Sequence, residues 1–371
     1  MPGRGLPASF GAEFSPAPSS SLPVSVLAAA AVWVLVMSRR SSDVRGGSLP
    51  SIRVVPAGEN RECTTRPGEA EPGCRPGPRQ RGPARAREFG YNSGVNEAQQ
   101  PRAESREIVE LRRLKEEQPD LASAVDLQIE LLQLQRRVQA RVPLPSIRLD
   151  TEYLRGLLAT GPLLRFDHLK IDWSDVRFLV RAVAAAMRTH EAIEASDVRR
   201  VESITRDAER LPFAVRAWYE AIDQNAGLPP EVEGLATVML QAMRPILTRA
   251  ADAILARVDL GDWSRGSCPV CGGEPDLAVI TPAADRLLIC SRCLARWRFD
   301  QIMCPFCRNA ERSRITSFTS RDGRYRLSAC DVCERYLKAY DARRASRPVM
   351  PAVDSVATLP LDAAAMQRGY K

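Results

Sequence analysis

The chain has 371 residues, enough for two or three folded units of ordinary size. With 44% hydrophobic and 26% charged residues it is globular in composition, which excludes a wholly disordered chain, a polytopic membrane protein, collagen and a coiled-coil fibre. The net charge of +8 would ordinarily suggest an acidic partner, but only four of the 53 basic residues are lysine (Lys115, Lys170, Lys338, Lys371), so the arginine-rich usage of a GC-rich genome accounts for it equally well.

Residues 22–37 form an apolar run of 16, LPVSVLAAAAVWVLVM, followed at once by Arg39 and Arg40. A membrane span needs about 18–20 such residues. A secretory signal needs a basic segment before the run and a small-x-small cleavage site after it, whereas only Arg4 precedes it and Ser-Arg-Arg follows. A twin-arginine signal would place its arginine pair ahead of the run. If the run crossed a membrane, Arg39, Arg40 and Arg45 would keep the rest of the chain in the cytoplasm. Residues 38–100 are rich in Arg, Pro, Gly and Glu, lack hydrophobic periodicity and read as disordered. The expectation for the first hundred residues is a start codon placed too far upstream, with Met37 or an unassigned start as the true one; a membrane anchor is the alternative. Cys63 and Cys74 fall in this stretch without a Cys-x-x-Cys partner and read as bystanders.

Folded sequence begins near Ser105, where Ile108, Leu111 and Leu114 recur at helical spacing until Pro119. A second helix follows, with Asp120 as its expected N-cap and Leu121, Val125, Ile129, Leu132 and Val138 as its stripe, up to Pro143. Further helices are expected over 151–158, 173–188, 196–210, 212–224 and 230–257, the last interrupted by Pro245. His190, Trp218 and the segment IDWSD lie among them and read as packing residues. With only two histidines, His168 and His190, in no recognisable motif, histidine-based metal catalysis and a Ser-His-Asp hydrolase are disfavoured.

After Gly261 the helical period stops and four Cys-x-x-Cys pairs follow: Cys268/Cys271, Cys290/Cys293, Cys304/Cys307 and Cys330/Cys333. Two thiolates three positions apart face one ion across a tight knuckle, and two knuckles complete a tetrahedral four-sulfur shell. The first spacing, Cys-x2-Cys-x18-Cys-x2-Cys, is that of a ribbon; the second, with x22, exceeds it by about two residues that a hairpin absorbs. Around Asp322-Gly323, a two-residue turn signal, Ile315, Ser317 and Thr319 alternate on one side and Tyr325, Leu327 and Ala329 on the other. Residues 277–280 and 286–289 form the less regular first hairpin. Trp297 and Phe299, then Tyr336 and Tyr340, follow the second knuckle of each unit. Each unit thus reads as knuckle, hairpin, knuckle, third strand, an internal repeat of rubredoxin-like or zinc-ribbon type with little core of its own.

The expected fold class is therefore α+β and multidomain: an extension over 1–104, an α-helical domain over 105–260, small four-cysteine β modules over 261–303 and 304–345, and a tail with a short helix over 346–371. Spacing leaves the two metal ions open between iron, which permits one-electron chemistry, and zinc, which makes the modules scaffolds. A disulfide framework is the weaker alternative. Only Cys271 is followed by glycine; Leu294, Arg308 and Glu334 stand at the equivalent places. Arg292, Arg296, Arg298, Arg308, Arg312 and Arg314 crowd the knuckles, where they would offset thiolate charge or line an anionic partner.

The stretches GSCPVCG (266–272, introduced by Trp263), LICSRCLARW (288–297), CPFC (304–307), ACDVCERYLKAYD (329–341), LQAMRPILTRAA (240–251) and DSVATLPLDAAAMQRGY (354–370) resemble the formate dehydrogenase accessory protein FdhE family. The resemblance runs from about 105 to 371. It implies a cytoplasmic, non-catalytic assembly factor that binds the catalytic subunit of a respiratory formate dehydrogenase before that enzyme is exported. It also implies that the eight knuckle cysteines are metal ligands, and it assigns no partner-binding residue. A homo-oligomer is left open. The competing expectation is a zinc-ribbon nucleic-acid binder stacking bases on Trp297, Phe299, Phe318 and Tyr325; nucleic acid is the disfavoured partner. An enzyme comes third, for want of any phosphate loop, dinucleotide fingerprint or nucleophile elbow.

Overall fold

The computed structural model describes residues 104–221, 232 and 234–371, with a two-residue strand, β1 (Arg53–Val54). The apolar run at 22–37, Cys63, Cys74 and, apart from β1, the stretch expected to be disordered lie outside the described residues. Among the described residues no helix is long and apolar enough to cross a membrane.

Helix α1 (Arg106–Glu117) starts where Ser105 accepts from the Ile108 amide at 3.4 Å and buries the expected Ile108, Leu111 and Leu114. Pro119 opens a 3-10 turn that contains Asp120, so α2 (Ala122–Gln139) begins after Leu121 and Asp120 does not cap it. The stripe of Leu121, Val125 and Leu132 packs on α1, while Leu127, Leu131 and Leu134 face a second, larger core. Helix α2 is therefore a wall between two clusters, and a single stripe describes only one of its faces.

The larger core is built by α3 (Thr151–Thr160), α4 (Trp173–Thr189), α5 (Ala195–Arg206), α6 (Arg210–Glu220) and α7 (Ala236–Leu255). Asp150 and Asp172 cap α3 and α4 by accepting amide hydrogen bonds at 2.9 Å. Trp218 is buried in this core, and His190 sits beside Glu130 at 3.2 Å. Pro245 does not interrupt α7. A proline removes the bond to the carbonyl four residues back; here that carbonyl, Gln241 O, accepts from Gln135 Nε2 of α2 at 3.0 Å. A buried partner on the next helix thus compensates the lost bond.

The sheet contains β2 (Pro275–Ile280), β3 (Arg286–Cys290), β4 (Arg296–Phe299), β5 (Ile315–Thr319), β6 (Tyr325–Cys330) and β7 (Arg335–Asp341). Its order is β1-β5-β6-β7-β2-β3-β4. Two separate small sheets were expected. Instead β7 of the second unit pairs in parallel with β2 of the first, Leu277 opposite Lys338 and Ile280 opposite Asp341. The physical reason is the edge: each three-stranded unit has two edge strands, and the pairing removes one unpaired row of amides and carbonyls from each, that of β7 and that of β2. The reversal after β5 uses residues 321–324, with Gly323 in the left-handed region (φ 70°), in place of a two-residue turn.

The C-terminal segment folds as two helices, α8 (Pro351–Ala357) and α9 (Leu359–Met366). Met350, Val353 and Val356 complete the cluster around α1, and Leu361 and Ala365 cover the face of the sheet carrying Tyr325, Tyr336 and Tyr340. Two buried aspartates fasten them. Asp354 accepts from Tyr325 Oη at 2.8 Å, Arg347 at 2.7 Å and the Met350 amide at 2.7 Å. Asp362 accepts from Tyr336 Oη at 2.9 Å and Lys338 Nζ at 2.8 Å. Burial pushes the phenols of Tyr325 and Tyr336 well above their ordinary range, which keeps them donors.

Removing one member of a buried ion pair leaves the other charged and unpaired, at a cost of about 3–5 kcal/mol. Asp362→Ala is therefore expected to destabilise the protein by about that amount in urea unfolding, and Lys338→Met with Asp362→Leu by clearly less. A double variant as damaged as the single one contradicts this role.

Candidate metal centres

The knuckles place their eight cysteines in two sets. Cys268, Cys271, Cys290 and Cys293 form one, and Cys304, Cys307, Cys330 and Cys333 the other, the sulfurs of each lying within 4.8 Å of one another. In the first set the Sγ atoms of Cys268 and Cys293 are 3.6 Å apart, and Cys271 is 3.5 Å from both Cys290 and Cys293. In the second, Cys304 and Cys333 are 3.7 Å apart and Cys307 and Cys330 3.6 Å. A tetrahedron with metal–sulfur bonds of about 2.3 Å has edges of about 3.8 Å, so both sets fit one tetrahedral ion each. All eight thiols are free, and the spacings are far from the roughly 2 Å of a disulfide.

The four knuckles share one backbone device. The residue after the second cysteine is left-handed in each: Gly272 (φ 75°), Leu294 (φ 60°), Arg308 (φ 63°) and Glu334 (φ 57°). The amides of Gly272, Arg308 and Glu334 return to the carbonyls of Cys268, Cys304 and Cys330 at 2.8–3.0 Å. The amides of Val270 and Arg292 point at the sulfurs of Cys268 and Cys290 at 3.4 Å. The missing glycines noted in the sequence thus leave the knuckle geometry unchanged; three side chains tolerate a conformation that costs roughly 1–2 kcal/mol per residue.

The surroundings of the two sets differ. The first is wholly buried and belongs to the same hydrophobic core as the helices. Amides of Leu163 and Leu164, in the connection after α3, donate to the carbonyls of Pro269 and Val270 in the first knuckle at 3.0 and 2.8 Å. In the second knuckle Arg292, only 4% exposed, donates to the carbonyls of Trp218 and Tyr219 at 2.8 and 3.0 Å and stacks 4.1 Å from the Trp218 ring centroid. These carbonyls end α6, where the helix leaves them unpaired and its dipole favours a cation. Arg244 of α7 donates to Ser291 O at 2.9 Å. Burial lowers the pKa of Arg292, while the thiols of Cys271, Cys290 and Cys293 oppose that shift as nearby negative charge. Among the described residues no carboxylate pairs with Arg292.

The second set is partly open: Cys307 is exposed and Cys333 half-buried. Arg335 stacks 3.7 Å from the Phe306 ring centroid and pairs with Glu274 through two hydrogen bonds at 2.7–2.8 Å. Arg286, buried, donates to Met303 O, and its burial pushes the guanidinium down to about 10. Hydrogen bonding to Cys333 is the largest of the causes that hold Cys304 down to about 5, so one thiolate is available to a cation. Gly266 lies against this set: a Cβ there would sit 1.8 Å from Pro305 O.

Of the arginines noted in the sequence, Arg292 is a clamp between helix and knuckle, and Arg296 and Arg298 are exposed on β4. Trp297, Phe299, Phe318 and Tyr325 are all buried, so none of them offers a face to a base. Sequence reasoning passed over Arg244, the pairing of Leu163 and Leu164 with a knuckle, and Gly266. Only the last had a local signal, as the glycine of GSCPVCG.

A helical domain whose core runs into a sheet bearing two four-cysteine centres defines a ribbon-type, thiol-rich protein of α+β class. No family model matches the chain. It is 30% identical to an FdhE homologue of Aquifex aeolicus over 137 residues, 36% of this chain and 47% of that protein. It is 31% identical to the FdhE protein of Escherichia coli over 119 residues, 31% of this chain and 38% of that protein. The crystal structure of the FdhE protein from Pseudomonas aeruginosa covers 72% of this chain and 92% of that chain, with a TM-score of 0.49 and 24% identity. The aligned stretches span less than half the length of the Aquifex and Escherichia relatives. Over about a third of its length the chain is similar in sequence to FdhE proteins.

Two substitutions test the local chemistry. Gly272→Ala is expected to destabilise by about 1 kcal/mol, while Arg308→Gly costs nothing although glycine at an ordinary helical position costs roughly 0.5–1 kcal/mol. Equal effects at both positions in thermal unfolding contradict the left-handed assignment. Arg292→Ala, which strips two buried carbonyls of a charged donor, is expected to cost about 2–4 kcal/mol, with little rescue by lysine because one ammonium cannot reproduce the planar fork.

Proposed function

We propose that the chain is a non-catalytic assembly factor for a respiratory formate dehydrogenase, acting in the cytoplasm on the catalytic subunit before export, with Cys268, Cys271, Cys290 and Cys293 holding one metal ion and Cys304, Cys307, Cys330 and Cys333 a second. The observation that carries this reading is the pair of tetrahedral thiol sets in a chain related to FdhE proteins. The ions are iron or zinc; iron in a four-thiolate shell would permit one-electron transfer, and zinc would serve as scaffold alone.

The arrangement around the sites suits a binding protein. Both histidines are engaged locally, His168 Nδ1 accepting from the Arg165 amide at 3.1 Å and His190 meeting Glu130. The nucleic-acid reading loses its stacking platform, because the four aromatic residues it relied on are interior.

The test is genetic and biochemical. The tagged chain is expected to co-purify with the catalytic subunit of formate dehydrogenase, and Cys330→Ser with Cys333→Ser to abolish maturation of that enzyme while the variant still accumulates. Normal formate dehydrogenase activity in a strain lacking this protein contradicts the proposal.

A further inference from the structure

The two thiol sets are chemically alike and differently enclosed, and we infer that they divide labour: the first is a permanent keystone, while the second, at Cys304, Cys307, Cys330 and Cys333, is an exchange site for a thiophilic metal ion. The inference rests on the reading of both sets as metal centres.

At the first set an ion could leave only by opening the main core. All four cysteines are buried within it, and both knuckles are hydrogen-bonded to the helical region through Leu163, Leu164, Arg244 and Arg292.

The second set lacks these ties. The inter-residue hydrogen bonds of its knuckles run to sheet and C-terminal residues: Asp331 N to Arg314 O at 2.9 Å, Tyr370 Oη to Asp331 at 2.6 Å and Lys371 N to Glu334 O at 2.6 Å. Cys307 is exposed, Cys333 is half-buried, and Val332 between the two cysteines of the last knuckle is 52% exposed. An incoming thiol or chelator can therefore reach the ion from the Cys307 side. Exchange is a ligand substitution: a bond from the metal to the incoming donor forms as the bond to Cys307 Sγ breaks, the released thiolate takes a proton from solvent, and no electron moves. The cations beside this set do not resist the change, since Arg335 keeps Glu274 and Arg286 keeps the Met303 carbonyl.

The experiment uses the full chain reconstituted with two zinc ions, exposed to isotopically enriched zinc and a colorimetric chelator. Native mass spectrometry follows the ions, and pulse alkylation with N-ethylmaleimide maps the thiols, Cys63 and Cys74 being scored separately. One ion is expected to exchange at least about tenfold faster than the other, because its release needs local rather than global opening. Alkylation is expected first at Cys307 and Cys333, with far-ultraviolet circular dichroism unchanged. Cys307→Ser with Cys333→Ser is expected to retain one slow ion. Equal exchange rates, or first alkylation at Cys268, Cys271, Cys290 or Cys293, overturn the inference while leaving two centres in place. A fully reduced chain that takes up fewer than two ions overturns the two-centre reading and this inference with it.

Discussion

A guanidinium buried without a carboxylate must find its counter-charge elsewhere, and the rest of the structure is arranged around the place where Arg292 finds it. The side chain leaves the second knuckle of the first thiol set, caps the carboxyl end of α6 and lies on the Trp218 ring. Its backbone stands between Cys290 and Cys293, and its amide points at Cys290 Sγ at 3.4 Å. One residue thus couples a metal-sized cluster of thiols to a helix terminus, and the helical core and the sheet become one cooperative body. In the proposed function this coupling explains why a small β unit can carry a stable centre: its interior is borrowed from the helices.

The sheet and the C-terminus extend the same logic. Pairing β7 with β2 closes one edge of each ribbon unit and sets the two thiol sets on one sheet. The last two helices then return to α1, held by Asp354 and Asp362 against tyrosines on β6 and β7. The amino-terminal helices, the sheet and the carboxyl-terminal helices are therefore tied at three places, while one face of the second thiol set stays open to solvent.

The metal motifs were legible because their chemistry is local: a Cys-x-x-Cys pair and its spacing carry their meaning within a few residues, and the alternation around β5 and β6 exposed the hairpin. The left-handed turn after each second cysteine was legible only at Gly272, since Leu294, Arg308 and Glu334 adopt it without glycine, the last two with their amides returned to the carbonyl of the knuckle's first cysteine. Features made by distant partners were not legible. Pro245 reads as a break until Gln135, more than a hundred residues away, is seen to occupy the freed carbonyl. Asp120 reads as a cap until the 3-10 turn opened by Pro119 is seen to absorb it. The joining of the two ribbons depends on which edges meet, and Arg292 reads as one of six arginines that would offset thiolate charge or line an anionic partner until α6 is in place.

In the proposed function the first thiol set carries a metal ion that holds the helices to the sheet. The most direct test of that claim is calorimetry of the fully reduced protein with both sets loaded and after complete metal removal. The account predicts that demetallation lowers the unfolding transition of the helical region and of the sheet together. A helical transition that keeps its temperature and enthalpy when the metals are gone would contradict it.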